Sequence, residues 1–318
     1  ILLFWAALIR ATRDWGGIDE QGRAFGFLDS GRGMLAAALA TLGAALFGFM
    51  FPDGYQSAGP AEREQALRLI IYGYTAVTAA TGVFVWFVLH DGHPAGQPGL
   101  DHWEPTRESA WTHMTHVMRM PAVWLTSIIV VCAYVSYKGF DNYSLFAVQG
   151  YGLDEVESAR MVAIAAWVRP VAALAVGMLG DRFLGSRMTV VCFGLLTLSQ
   201  LFFAVYTPVP GMGWLLMTNM LIGSSMIFGL RALYFALFEE ADVPAAMTGT
   251  AVGLVSVLGY SPDIFVSYVG GVLLDRSPGI TGHQHYFYFL AAFAAIGFVV
   301  SFFLMRRLRG MMSPDHSA

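Results

Sequence analysis

The sequence predicts an all-α polytopic membrane protein, and three observations carry that reading. Of its 318 residues 56% are hydrophobic and 13% charged, about half the charged share of an ordinary soluble domain. The charges cluster between apolar stretches long enough, at about 20 residues each, to cross a bilayer. Those stretches do not alternate, and a backbone in lipid must satisfy its amides within the segment, which a helix does. Mean hydropathy is +0.58.

Hydropathy and breakers together place nine spans. The first, 1–12, opens directly on ILLFWAALIR, without a methionine or basic leader, and is expected to be incomplete. The second, 24–51, and third, 66–90, are parted by PDGYQSAGPAEREQ. After HDGHPAGQPGLDHWEPTRESAWTHMTHVMRM at 90–120, the longest polar stretch, come 121–149 and 157–180. DRFLGSR, PVPG, EEADVPA and DRSPGITG then delimit 188–207, 212–237, 247–273 and 284–306. Six spans follow the polar stretch and about three precede it, which suits a six-plus-six arrangement without its first three helices. The expected organisation is a partial helical bundle over 1–90, a cytoplasmic linker over 91–120, a six-helix bundle over 121–310 and a tail over 311–318.

Positive charge sets the orientation. With the first span leaving on the cytoplasmic side, eleven of the 18 Lys and Arg residues fall at cytoplasmic ends, Arg13, Arg23, Arg32, Arg182 and Arg187 among them. Only Arg63, Arg68, Arg160 and Arg276 fall on the other side. Loops rich in Lys and Arg stay inside, so the linker and the C-terminus are expected in the cytoplasm, in an inner (plasma) membrane.

Composition also narrows the function. A net charge of −4 gives no reason to expect nucleic acid. Cys132 and Cys192 fall inside spans, which argues against a disulfide framework or a zinc site. His90, His93, His102, His113 and His116 lie in the Pro- and Gly-rich stretch with no cysteine nearby, so a tether is favoured over a metal site. No nucleophile–base pair or phosphate-cradling loop stands out, and neither catalysis nor a cofactor is expected.

Ionisable side chains at membrane depth cost at least about 2.5–3.5 kcal/mol, so each needs a reason. Lys138, in AYVSYKGFDNYS, reads either as an anion anchor in a central cavity or as the partner of Asp141 one turn on. Arg169 precedes Pro170, so it either satisfies the carbonyl that a proline frees or forms a fork for an oxyanion. Arg231 has Glu239 and Glu240 two turns away and reads as an interfacial salt bridge. Asp263, in GYSPDIF, reads as the acid favoured where a broken helix restarts, or as a coupling carboxylate that binds a proton or neutralises Lys138. Tyr134, Tyr137, Tyr143 and Tyr260 stand near these charges, each with a hydroxyl for a substrate oxygen.

One loop is unusual for so apolar a chain. GMLGDRFLGSR places Gly177, Asp181, Arg182 and Arg187 between two spans. Glycine is needed where backbones pass closely, and Asp181 can accept from the amides at a facing helix N-terminus. The arginines suit an anionic headgroup layer. This stretch resembles the Gly-x-x-x-Asp-Arg-x-x-x-(Ser/Gly)-Arg loop of the major facilitator superfamily, here joining the eighth and ninth helices. WGGIDEQGRAFGFLDSGRG (15–33) and EEADVPAAMTGTAVGLVSVLGYSPDIF (239–265) resemble segments of its organophosphate:phosphate antiporter branch and of related uncharacterised bacterial inner-membrane members.

The resemblance implies a major facilitator fold with about nine of twelve transmembrane helices, the fourth to the twelfth. It implies a monomeric secondary active carrier of a small anion, an organic anion or a phosphate ester, working by alternating access with a coupling proton or counter-anion. Lys138 and Arg169 would hold charge, Tyr134, Tyr137, Tyr143 and Tyr260 would help bind, Asp263 would couple, and Gly177, Asp181, Arg182 and Arg187 would form the gating loop. In the branch the seventh helix carries an arginine, and aligning Gly139 and Tyr143–Ser144 puts Tyr137 there in place of Lys138; a helix break at Gly139 would restore the direction. An arginine on the eighth helix, Arg169, also resembles nitrate/nitrite carriers. A neutral-solute or drug carrier and a transporter-like membrane sensor are the competing readings.

Overall fold

A computed structural model describes residues 2–17, 19–50, 59–88, 110–153, 155–209, 211–241, 243–244 and 247–312. His90, His93, His102, most of the linker and residues 313–318 of the tail lie outside these. The described residues are helical apart from short connections. In chain order the helices are α1 (Leu2–Gly16), α2 (Gln21–Met50), α3 (Pro60–Val88), α4 (Ala110–Met118), α5 (Pro121–Gly139), α6 (Tyr143–Tyr151), α7 (Glu155–Phe183), α8 (Gly185–Val205), α9 (Gly213–Leu233), α10 (Leu237–Glu240), α11 (Thr248–Gly259), α12 (Pro262–Arg276) and α13 (Ile280–Met312).

Seven helices or end-to-end helix pairs among the described residues are long and apolar enough to cross a membrane: 60–87, 121–151, 160–183, 185–205, 213–233, 248–276 and 280–309. Together with α1 and α2 they match the nine expected spans. Two spans are interrupted. A single 3-10 turn, Phe140–Asn142, separates α5 from α6 directly after Gly139, and Tyr260–Ser261 separates α11 from α12. Pro262 then opens α12, where its missing N–H is not needed, and Asp263 sits in the first turn. The expected helix restart is therefore present.

The chain forms two compact units, one of residues 1–35 with 108–318 and one of residues 36–107. The smaller holds the second half of α2 and all of α3, where the Tyr74 hydroxyl donates to the Leu39 carbonyl at 3.0 Å. In the larger unit Tyr143, Phe146, Phe203 and Phe287 pack at ring separations of 4.9–5.8 Å, edge to face except for the tilted Phe203–Phe287 pair. Tyr143 is 1% exposed.

Candidate substrate cavity

Two glycines let α2 and α7 approach closely. A Cβ on Gly177 would strike the Gly22 carbonyl, and one on Gly26 would come within 3.0 Å of the Ala173 carbonyl. Farther along, a Cβ on Gly33 would lie 2.6 Å from Arg169 Cγ. Gly33 therefore makes room for the Arg169 stem, which lies across α2 toward Asp29.

Asp29 is the centre of the buried charge. Arg169 forks it, with Nη2 donating to Oδ1 at 2.9 Å and Nε to Oδ2 at 3.4 Å. Arg231 Nε lies 3.7 Å and Arg32 Nη1 3.8 Å from the same Oδ1. Three guanidinium groups from α2, α7 and α9 thus face one carboxylate. Arg32, which the sequence places at a cytoplasmic end, stands three turns inside α2, and Asp29 is on its own face one turn earlier.

Beside this cluster is a cavity of about 550 Å³, lined by Arg32, Arg231, Tyr134, Tyr137, Tyr260 and Asp263 among others. Aromatic rings hold both cations. Arg231 sits 4.5 Å from the Tyr137 ring centroid and Arg32 4.6 Å from that of Trp5. Tyr134 packs against Tyr260 and Tyr137 at 4.8 and 5.4 Å. The Arg231 side chain is 7% exposed, yet its Nε and Nη1 donate no hydrogen bond among the described residues. A buried donor left unpaired costs about 1–3 kcal/mol, and more when charged.

The sequence-selected residues divide accordingly. Tyr134, Tyr137, Tyr260 and Asp263 line the cavity. Lys138 stands near its rim, held 2.9 Å from Asp141 and 3.7 Å from Asp263, and Asp263 also accepts from the Tyr134 hydroxyl at 3.0 Å. Arg169 gives its fork to Asp29, not to the carbonyl freed by Pro170. Both cations first read as anion anchors are therefore matched by acids. Tyr143 does not reach the cavity: its ring fills the aromatic core, and its hydroxyl receives Gln200 Nε2 at 3.4 Å. Arg231 pairs with neither Glu239 nor Glu240. Sequence distance hid Asp29, Arg32 and Arg231 as a group, although an acid and a base three positions apart inside an apolar run were a signal.

Toward the loop end, three ties close the helices together. Asp181 Oδ1 and Oδ2 accept from the Gly22 and Arg23 amides at 2.6 and 2.7 Å, at the α2 N-terminus. Arg13 reaches from α1 to Glu239 through Nη2 and Nε at 2.5 and 3.0 Å, to Thr248 Oγ1 at 2.5 Å and to the Val243 carbonyl at 2.7 Å. Glu240 accepts from the Ser186 amide at the start of α8, 3.1 Å from each oxygen. Arg182 and Arg187 are exposed and outside these ties, with Arg182 resting 5.3 Å from the Phe183 ring centroid. The ties place Arg13, Gly22, Arg23, Asp181, Ser186, Glu239, Glu240, Val243 and Thr248 at one end, the shared side that the nine-span topology requires.

A many-span helical protein with cations deep between its helices beside a cavity, and with hydrogen-bonded ties between helices at one end, has the build of a membrane carrier. The family profile of the Major Facilitator Superfamily matches residues 2–267, and the chain belongs to that family of transporters. It is 28% identical to the inner membrane protein YihN of Escherichia coli K12 over 319 residues, 96% of this chain and 71% of the relative. It is 25% identical to the inner membrane protein YqcE of the same organism over 323 residues, 97% of this chain and 71% of the relative.

Proposed function

We propose that this chain is the larger part of a secondary active carrier for a small anion, an organic anion or a phosphate ester, in a bacterial inner membrane with its C-terminus in the cytoplasm. The single observation that carries the anion is Arg231: a buried guanidinium at a cavity wall with two donors unpartnered. A guanidinium fork matches two oxygens of a carboxylate, nitrate or phosphate. Arg32 adds a second positive charge, and the hydroxyls of Tyr137 and Tyr260 supply further donors, while that of Tyr134 is given to Asp263. Lys138 and Asp263 neutralise each other at the rim and orient Tyr134.

Alternating access follows from the latches. With the loop end tied by Arg13, Asp181 and Glu240, the cavity is shut at that end, and release of the ties opens it. Gly177 permits the close α2–α7 contact on which the Asp181 tie depends. In proteoliposomes of the full-length protein, Arg231→Ala should cut anion uptake by at least about 30-fold, the scale for truncating one partner of a buried charge. Carboxylates or phosphate esters should compete for uptake. Undiminished uptake by the variant, or competition by apolar cations in place of anions, would remove the anion reading.

A further inference from the structure

We propose that Asp29 is the proton-coupling carboxylate of this carrier, so that an anion arriving on Arg231 and Arg32 is accompanied by a proton on Asp29. This rests on the anion reading above and adds the identity of the co-transported ion.

The argument begins with the sharing of one oxygen. Asp29 Oδ1 is 2.9 Å from Arg169, 3.7 Å from Arg231 and 3.8 Å from Arg32, and the side chain is 6% exposed. The charged and titratable groups around it are Arg32 on its own helix, Arg169 on α7, Arg231 on α9 and Tyr234 just beyond α9; α1 contributes Trp5 and Ile9, which carry no charge. Asp29 is therefore the internal anion of the arginine cluster and competes with any anion from outside for the same donors.

An anion on Arg231 brings a second negative charge beside Asp29 where water is scarce and charges interact strongly. A proton on Asp29 removes that repulsion and the negative charge that holds the three guanidinium groups, which leaves the cavity-lining Arg231 and Arg32 to the newcomer. Each ligand thus favours the other, and the coupling is reciprocal by linkage. Asp263 lacks this geometry. Its side chain is 51% exposed, and it is already shared by Lys138 and Tyr134.

The test uses the purified full-length protein in detergent with sulfate and formate, whose charges are constant between about pH 5.5 and 8. Binding is read from tryptophan fluorescence, since Trp5 lies under Arg32, and proton uptake from a pH electrode in unbuffered solution. The wild type should take up roughly one proton per anion and bind about tenfold more tightly for each pH unit lowered. Asp29→Asn should bind at the higher pH nearly as the wild type does at the lower, and take up no proton. Binding by the wild type without proton uptake, or continued uptake by Asp29→Asn, overturns the proposal and leaves the anion reading standing. Failure of both anions to bind either protein overturns both. Asp29→Ser serves where the asparagine variant does not fold, and the wild-type proton count supports or overturns the proposal by itself.

Discussion

Gly33 shows how much one missing methyl group does at the buried cluster. The Arg169 stem lies where a Cβ would be, at 2.6 Å for Cγ and 2.8 Å for Cδ, so Gly33→Ala must displace the arginine or the helix. Overpacking of this kind costs about 1–3 kcal/mol. A thermal unfolding midpoint several degrees below the wild type is expected, together with weaker anion binding because Arg169 no longer holds Asp29 in place; an unchanged midpoint would mean that the stem has another path. The same residues mark the limit of what the chain reveals when read in order. Lys138 and Asp141 are three positions apart, and their pairing is visible in any window of the sequence. Asp29 and Arg169 are separated by 140 residues and Arg13 and Glu239 by 226, and no local pattern joins them. Arg169 was visible as a cation at depth, and Arg231 only as an interfacial partner for Glu239 and Glu240. That one was neutralised and the other left with unpartnered donors was decided by which acid α2 brings alongside.

At the scale of elements, hydropathy located the spans because lipid imposes one requirement on all of them. The expected 157–180 lies inside α7, and the expected 188–207 runs two residues past the end of α8 at Val205. The interruption at Tyr260–Ser261 was legible from Pro262 and Asp263, and that after Gly139 from glycine alone, because these residues act on the backbone itself. Helix termini do further work at the GMLGDRFLGSR loop. Asp181 takes two amides at the start of α2 that have no partner within the helix, next to the positive end of its dipole. Leu184, at φ +75° and ψ 130°, occupies a backbone region that non-glycine residues avoid, and the chain reverses there between α7 and α8. Asp181→Asn keeps one acceptor oxygen and loses the charge. Its effect should be faster hydrogen exchange at Gly22 and Arg23, at a cost of about 1 kcal/mol in the range measured for helix-terminal charges. Exchange at wild-type rates would show that this tie contributes nothing to closure.

At the scale of the whole larger unit, the ties made by α1 and the beginning of α2 all reach into residues 121–312: Arg13 to Glu239, Asp181 to Gly22 and Arg23, Asp29 to Arg169. The cavity is therefore lined from both sides of the linker, by Trp5 and Arg32 before it and by Tyr134, Arg231 and Tyr260 after it. Arg13 is the best placed of these to set the balance between closed and open forms, since its side chain is 6% exposed and donates to Glu239, Thr248 and the Val243 carbonyl at once. A hydrogen bond to a charged group contributes about 1.5–3 kcal/mol, so removing the Glu239 carboxylate should shift the closed-to-open ratio about 30-fold. The shift is readable as thiol labelling of Ser261→Cys, a cavity position, by a membrane-impermeant reagent added at the loop end; Cys132 and Cys192 are buried and give little background. Glu239→Gln should label faster than the parent, because Arg13 is then left with an uncompensated charge. Arg13→Gln combined with Glu239→Gln should label at an intermediate rate, since two amides can still pair. Equal labelling in all three would mean that the latch packs the bundle without holding it shut.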